Sequence, residues 1–172
     1  MTFRNRLLNL PGQKFIVPLM RMVFLTFLMI ASLSSAVAGD AVTGSVIKVL
    51  PFLLDQQGRD STSPSLFDRD AYQAQLREHP REIFGVRIDV QWKAAKSPVE
   101  KLQLRVEARG VGADGSPRLK TFKQDVSAGT FTRWTDFFLT GADYKKFGSL
   151  VAWRATLWNS DSLLGEQKSF LW

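Results

Sequence analysis

From Phe84 to Lys93 apolar and polar residues alternate without a break. Phe84, Val86, Ile88, Val90 and Trp92 are separated by Gly85, Arg87, Asp89 and Gln91. A strand sends successive side chains to opposite faces, so the five apolar groups share one side, whereas a helix would scatter them around its circumference. The same period recurs in Leu102, Leu104, Val106 and Ala108, set between Gln103, Arg105 and Glu107. It returns in Val151, Trp153, Ala155 and Leu157, set between Ala152, Arg154 and Thr156, with Trp158 on the opposite phase. Burying one such face is worth about 1.5–3 kcal/mol per large side chain, and it requires a second layer to cover it.

Between these segments the chain reads as further strands and one helix. Gly44 to Leu54 is apolar and β-branched, with Pro51 marking an edge, a bulge or a switch between sheets. Asp55 to Asp60 is a polar turn. Ser63-Pro64-Ser65 opens a helix that runs to Glu78, with Tyr72 and Leu76 one turn apart facing the sheet and Pro80 stopping it. Gly110 to Pro117 is a long turn. Arg118 to Val126 follows as a strand, with Phe122 and Val126 inward and lysines that suit an edge. Phe131 to Leu139 carries aromatic residues on both faces and is expected to be covered on both. Thr140 to Gly148 reads as one helical turn closed by Gly148. After the turn Asn159 to Ser162, Leu163 to Trp172 returns as the last strand. The sum is an all-β antiparallel sandwich of about seven strands, with one short helix inserted between the first and second strands.

This layout resembles immunoglobulin-like and fibronectin-type modules in its strand number, in Trp92 on the central strand, and in the Asp143-Tyr144 turn before the penultimate strand. It departs from antibody domains in having no cysteine pair and in carrying the helix at Ser65 to Glu78. The closing run AWRATLWNSDSLLGEQKSFLW is similar to the end of small secreted bacterial proteins of uncharacterised function, a resemblance that implies no activity.

Composition changes the picture at the N-terminus. The first acidic residue is Asp40, preceded by Arg4, Arg6, Lys14 and Arg21, the apolar run Met22 to Ala31, and the small-residue ending Ala36-Val37-Ala38. A basic region, a short apolar core and an A-x-A site make a secretory signal peptide over residues 1–38, cleaved after Ala38, and a mature domain over 39–172. The other reading is an uncleaved anchor helix, but Val23 to Ala38 falls short of the ~20 apolar residues that a span needs. The 172-residue chain has 23 basic and 16 acidic residues. Removing the leader takes four of the basic ones, so the mature charge is modest and nucleic-acid binding loses its support. The sequence contains no cysteine, so a chain expected in the periplasm or outside the cell must hold itself by its core alone.

Residues for catalysis are not assembled in the sequence. His79, the single histidine, lies at a helix end. Asp68 and Asp70 are two apart on a helix and point about 200° from each other, which suits first-turn acids rather than a paired-carboxylate site. The glycines around Gly110 precede a strand rather than a helix, so they form a turn and not a phosphate loop. The spacing of Asp55 and Asp60 does not match a calcium loop. No catalytic residue, metal or cofactor is expected. Of the five tryptophans, Trp92 and Trp153 are on inward phases. Trp158, Trp172 and Trp134 are the candidate ligand-binding residues, able to stack on a sugar ring or a partner. The function expected is an exported, non-catalytic binding or structural module of the cell envelope, with a protein or polysaccharide partner. The alternatives are a carbohydrate-binding module that uses those tryptophans, and a small outer-membrane or membrane-anchored envelope protein. The alternation also predicts that Ile88→Asp unfolds the domain while Arg87→Asp is tolerated.

Overall fold

The computed structural model describes residues 42–95 and 102–172. The expected leader over 1–38 and its cleavage after Ala38, and most of the loop Ala94 to Pro98, lie outside the described residues. Among the described residues no helix is long and apolar enough to cross a membrane.

Seven strands form two antiparallel sheets. We label them β1 (Gly44–Asp55), β2 (Ile83–Ala94), β3 (Leu102–Val111), β4 (Pro117–Val126), β5 (Gly129–Thr140), β6 (Ser149–Asn159) and β7 (Ser162–Lys168); the helices are α1 (Leu66–Glu78) and α2 (Gly141–Phe147). One sheet has the order β1-β2-β5 and the other β4-β3-β6-β7, and neither closes into a barrel. The chain therefore crosses between sheets after β2, after β4 and after β5.

The alternation seen in the sequence places the core. Val86, Ile88, Val90 and Trp92 of β2 and Leu102, Leu104, Val106 and Ala108 of β3 are all buried, and Phe137, Leu139, Ala155 and Leu157 join the same cluster. Trp92 satisfies its one polar atom by donating from Nε1 to Thr135 Oγ1 at 2.9 Å, as a buried indole must. Phe122 of β4 meets Phe137 of β5 with ring centroids 5.7 Å apart, so the two sheets also touch through tilted aromatic rings.

α1 begins and ends as its residues dictate. Ser65 caps it by accepting from the Asp68 N–H, Asp68 is in the first turn and Arg77 in the last. The helix covers part of the outer face of β1, where Phe52 and Leu54 are buried along with Leu76. These three lie outside the main core cluster. Arg69 and Arg87 both lie over the Phe52 ring, with guanidinium carbons 4.7 and 5.4 Å from its centroid.

α2 ends where Gly148 turns with φ +79. A Cβ there would come within 2.0 Å of the Val111 carbonyl oxygen, so both conformation and space require glycine.

Four expectations need correction. β5 is covered on one side only: inward Phe137 and Leu139 are buried, while outward Trp134 and Phe138 are exposed. Val151 is 46 % exposed because the β3–β6 register shifts between Arg109 and Gly110, and the extra residue reverses the phase of the start of β6. Trp153, beyond that shift and in register with Ala108, packs against the core but is only partly buried. The last strand stops at Lys168, and residues 169–172 fold back: Ser169 N–H donates to the Trp153 carbonyl, and Trp172 N–H to the Ser169 carbonyl.

Candidate functional site

The three tryptophans singled out in the sequence do not converge. Trp134 is on the outer face of the three-stranded sheet. Trp158 lies on the outer face of the four-stranded sheet, opposite Gln103. Trp172 lies beside that same face, because two arginines of it, Arg109 and Arg154, hold its ring.

Trp158 and Trp172 already have partners within the chain. The Arg105 guanidinium lies 4.8 Å from the Trp158 ring centroid, and the indole N–H donates to Thr156 Oγ1 at 2.9 Å. Trp172 is approached by Arg109 at 3.9 Å and Arg154 at 5.1 Å. Arg154 in turn pairs with Glu107 and Glu166. Each stack is worth about 0.5–1 kcal/mol at exposed sites, and the two on Trp172 fasten residues 169–172 to the sheet. These arginines were not read as Trp partners, because the stacking depends on cross-strand register that no local pattern reveals.

Trp134 is different. It is 48 % exposed, and Phe138, on the same face of β5, is 55 % exposed. Between them lies Asp136, opposite Asp89 of β2. The outward row on β2 is Arg87, Asp89 and Gln91, and Arg87 bridges Asp89 at 2.7 Å and Asp60 at 3.2 Å. Burial pushes the Asp89 carboxyl up despite the Arg87 pair, and the like charges of Asp136 and Asp60 add to the effect. The outer face of β5 thus offers two large rings flanking a carboxylate, on a strand whose far edge has no strand partner among the described residues. Phe138 was legible as sharing a phase with Trp134; that both are left exposed was not.

A second polar cluster joins α1 to the end of β1. Asp55 accepts from the Tyr72 hydroxyl at 2.8 Å, from Arg59 Nε at 2.8 Å, and from the backbone N–H groups of Gln57 and Arg59. Burial opposes ionisation of Asp55, but these four donors outweigh it and hold the carboxyl below its usual value. The Tyr72 phenol, donating to that carboxylate, is held above its own. All the polar groups of this cluster are occupied with one another, so it reads as a structural knot. A carboxyl whose folded pKa is depressed gives stability that is present in full above its unfolded value, 3.8, and is lost as pH falls through the lower folded value. Urea unfolding followed from pH 6 to pH 2 should show that loss below about pH 4, and Asp55→Asn should lack this component. An unchanged pH profile in the variant would exclude the knot as its source.

His79 is exposed at the end of α1, with Nδ1 3.0 Å from the Gln75 carbonyl oxygen. Among the described residues no group of three or more His, Asp or Glu side chains could hold a metal ion. Comparison with protein-family models, with curated proteins and with solved structures finds no match to this chain.

Proposed function

We propose that this is an exported, non-catalytic β-sandwich module of the cell envelope that acts by binding, through the outer face of β5. One observation carries the reading: Trp134 and Phe138, two large exposed rings on one face of an edge strand. Exposed aromatic residues on such a strand are what recognition surfaces use. The fold belongs, in this reading, with immunoglobulin-like, fibronectin-type sandwiches. Its support is the three-plus-four division of strands, the crossings between sheets, and Tyr144 buried just before β6. Export rests on the basic, apolar and small-residue succession that ends at Ala38.

A carbohydrate ligand is the second reading, and it is favoured by the openness of the Trp134 ring. Trp158 and Trp172 serve it less well, since arginines already lie against their rings.

A photo-crosslinking residue placed at Asp136 in cells tests the first reading. A discrete adduct with an envelope component is expected, and it should vanish in the Trp134→Ser, Phe138→Ser double variant. The mature chain should begin at Gly39. No adduct, or one indifferent to the double substitution, would overturn the reading. Quenching of tryptophan fluorescence by one polysaccharide of a panel, lost in Trp134→Ser, would move the proposal to carbohydrate.

A further inference from the structure

On the side of the sandwich away from β5, β7 passes close to β1. A Cβ on Gly165 would come within 2.8 Å of Ser45 Cα, so the absence of a side chain lets the two strands meet. β7 ends at Lys168, opposite Arg154, while β6 continues back to Ser149. The sheets are therefore left unbridged between Pro51–Leu53 of β1 and Ser149–Leu150 of β6. A cleft of about 270 Å³ lies there, with Gln73 and Arg77 of α1 on one side and Tyr144 of α2 on another.

The walls are Pro51, Leu53, Ile83, Val86 and Leu150, all apolar. The polar groups are few, and their states differ. The Gln73 amide is committed to Leu53 and Asp60. Tyr144 is 8 % exposed, and its hydroxyl has no hydrogen bond to any described residue but remains open to solvent. Burial alone pushes its phenol up, with no hydrogen bond contributing. Arg77 is exposed and has no ion pair among the described residues. It is also the only charged side chain lining the cleft, and no carboxylate lines it. Apolar walls with a few converging polar groups are the usual form of a small-ligand site.

We propose that this cleft binds a small amphiphilic carboxylic acid. The apolar part lies against Leu53, Val86 and Leu150, the carboxylate meets Arg77, and the Tyr144 hydroxyl donates to a polar atom of the ligand. The volume lies just under the ~300–1,000 Å³ of sites for drug-sized ligands, so the acid has a short chain or a single ring. The proposal is independent of the β5 reading, since β1 and β5 are opposite edges of their sheet.

Hexanoate and its neutral counterpart 1-hexanol are the probes, titrated into the isotopically labelled protein and followed by NMR. Hexanoate should shift the Leu53, Tyr144 and Leu150 resonances saturably, with a dissociation constant of about 1 mM or tighter. Hexanol, and hexanoate with Arg77→Gln, should each bind about tenfold more weakly. Arg77→Lys should retain most of the affinity, and Trp134→Ser all of it. Thermal unfolding of Arg77→Gln should fall only slightly below the parent's, because Arg77 loses its place in the last turn of α1 but no ion pair with a described residue. No saturable shift at about 10 mM hexanoate, equal binding of hexanol, or indifference to Arg77→Gln would each overturn the proposal.

Discussion

Ile88→Asp abolishes the cooperative unfolding transition, and the far-UV circular dichroism of the variant loses its strand signature. Ile88 is 1 % exposed and sits between Pro51 on one neighbouring strand and Phe137 on the other. Its side faces the cluster that holds Leu104, Val106 and Leu157. A carboxylate there finds no donor, since the surrounding side chains are hydrocarbon. The cost is the desolvation of a charge plus the lost apolar contacts, about 4–5 kcal/mol or more. That takes most of the stability of a domain at the lower end of the ~5–15 kcal/mol range. A folded variant with a urea midpoint near the parent's would mean that the shared core of the two sheets is misplaced.

The neighbouring substitution separates what the alternation shows from what it hides. Arg87 points outward, so period two alone predicts that Arg87→Asp is harmless. In the structure Arg87 bridges Asp60 and Asp89 and lies over Phe52. Reversing its charge sets a further carboxylate among Asp60, Asp89 and Asp136, and costs about 1.5–3 kcal/mol. The outward face of β2 is a polar layer with its own partners, and the partner Asp60 is 27 residues away in sequence. No local pattern could supply it.

The same division runs through the rest of the chain. β2, β3 and α1 were legible because each carries its own period, cap or stop, and these are local. Pro51 was legible as marking an edge, a bulge or a switch between sheets, because a central strand would need the N–H that proline lacks, and the strand order selects the edge. The bulge at Arg109 and Gly110 was not legible, since the Val151 segment keeps its alternation in sequence while the ladder loses it in space. The exposure of Trp134 and Phe138 was hidden for a related reason: a strand with rings on both faces reads as doubly covered, and only the folded chain shows that α1 covers the outer face of β1 and leaves these two rings exposed. The cleft at Arg77 and Tyr144 brings together two helices and three strands that are far apart in sequence, so no local pattern could announce it.

Gln73 carries the other large effect. Its side chain is 3 % exposed and acts as a surrogate strand. Oε1 accepts from the Leu53 N–H at 2.8 Å, and Nε2 donates to the carbonyls of Leu53 and Asp60, both at 2.9 Å. β1 is an edge strand, so these backbone groups have no ladder partner, and α1 seals them from water while it buries Leu76. Gln73→Leu fills the space but leaves one donor and two acceptors unpaired. The expected loss is about 2–4 kcal/mol, together with fast hydrogen exchange at the Leu53 amide. Gln73→Glu separates hydrogen bonding from packing. When ionised, its carboxylate can still accept from Leu53 but repels both carbonyls. When protonated, it can donate to one of them. Burial raises its folded pKa, so the stability it retains is present below the unfolded value and is lost as pH rises through the folded one. Relative to the parent, Gln73→Glu should therefore be weakest at pH 7 and recover towards pH 4, a direction opposite to that of the Asp55 knot. Equal losses for Gln73→Glu at both pH values would show that the side chain contributes by filling space alone.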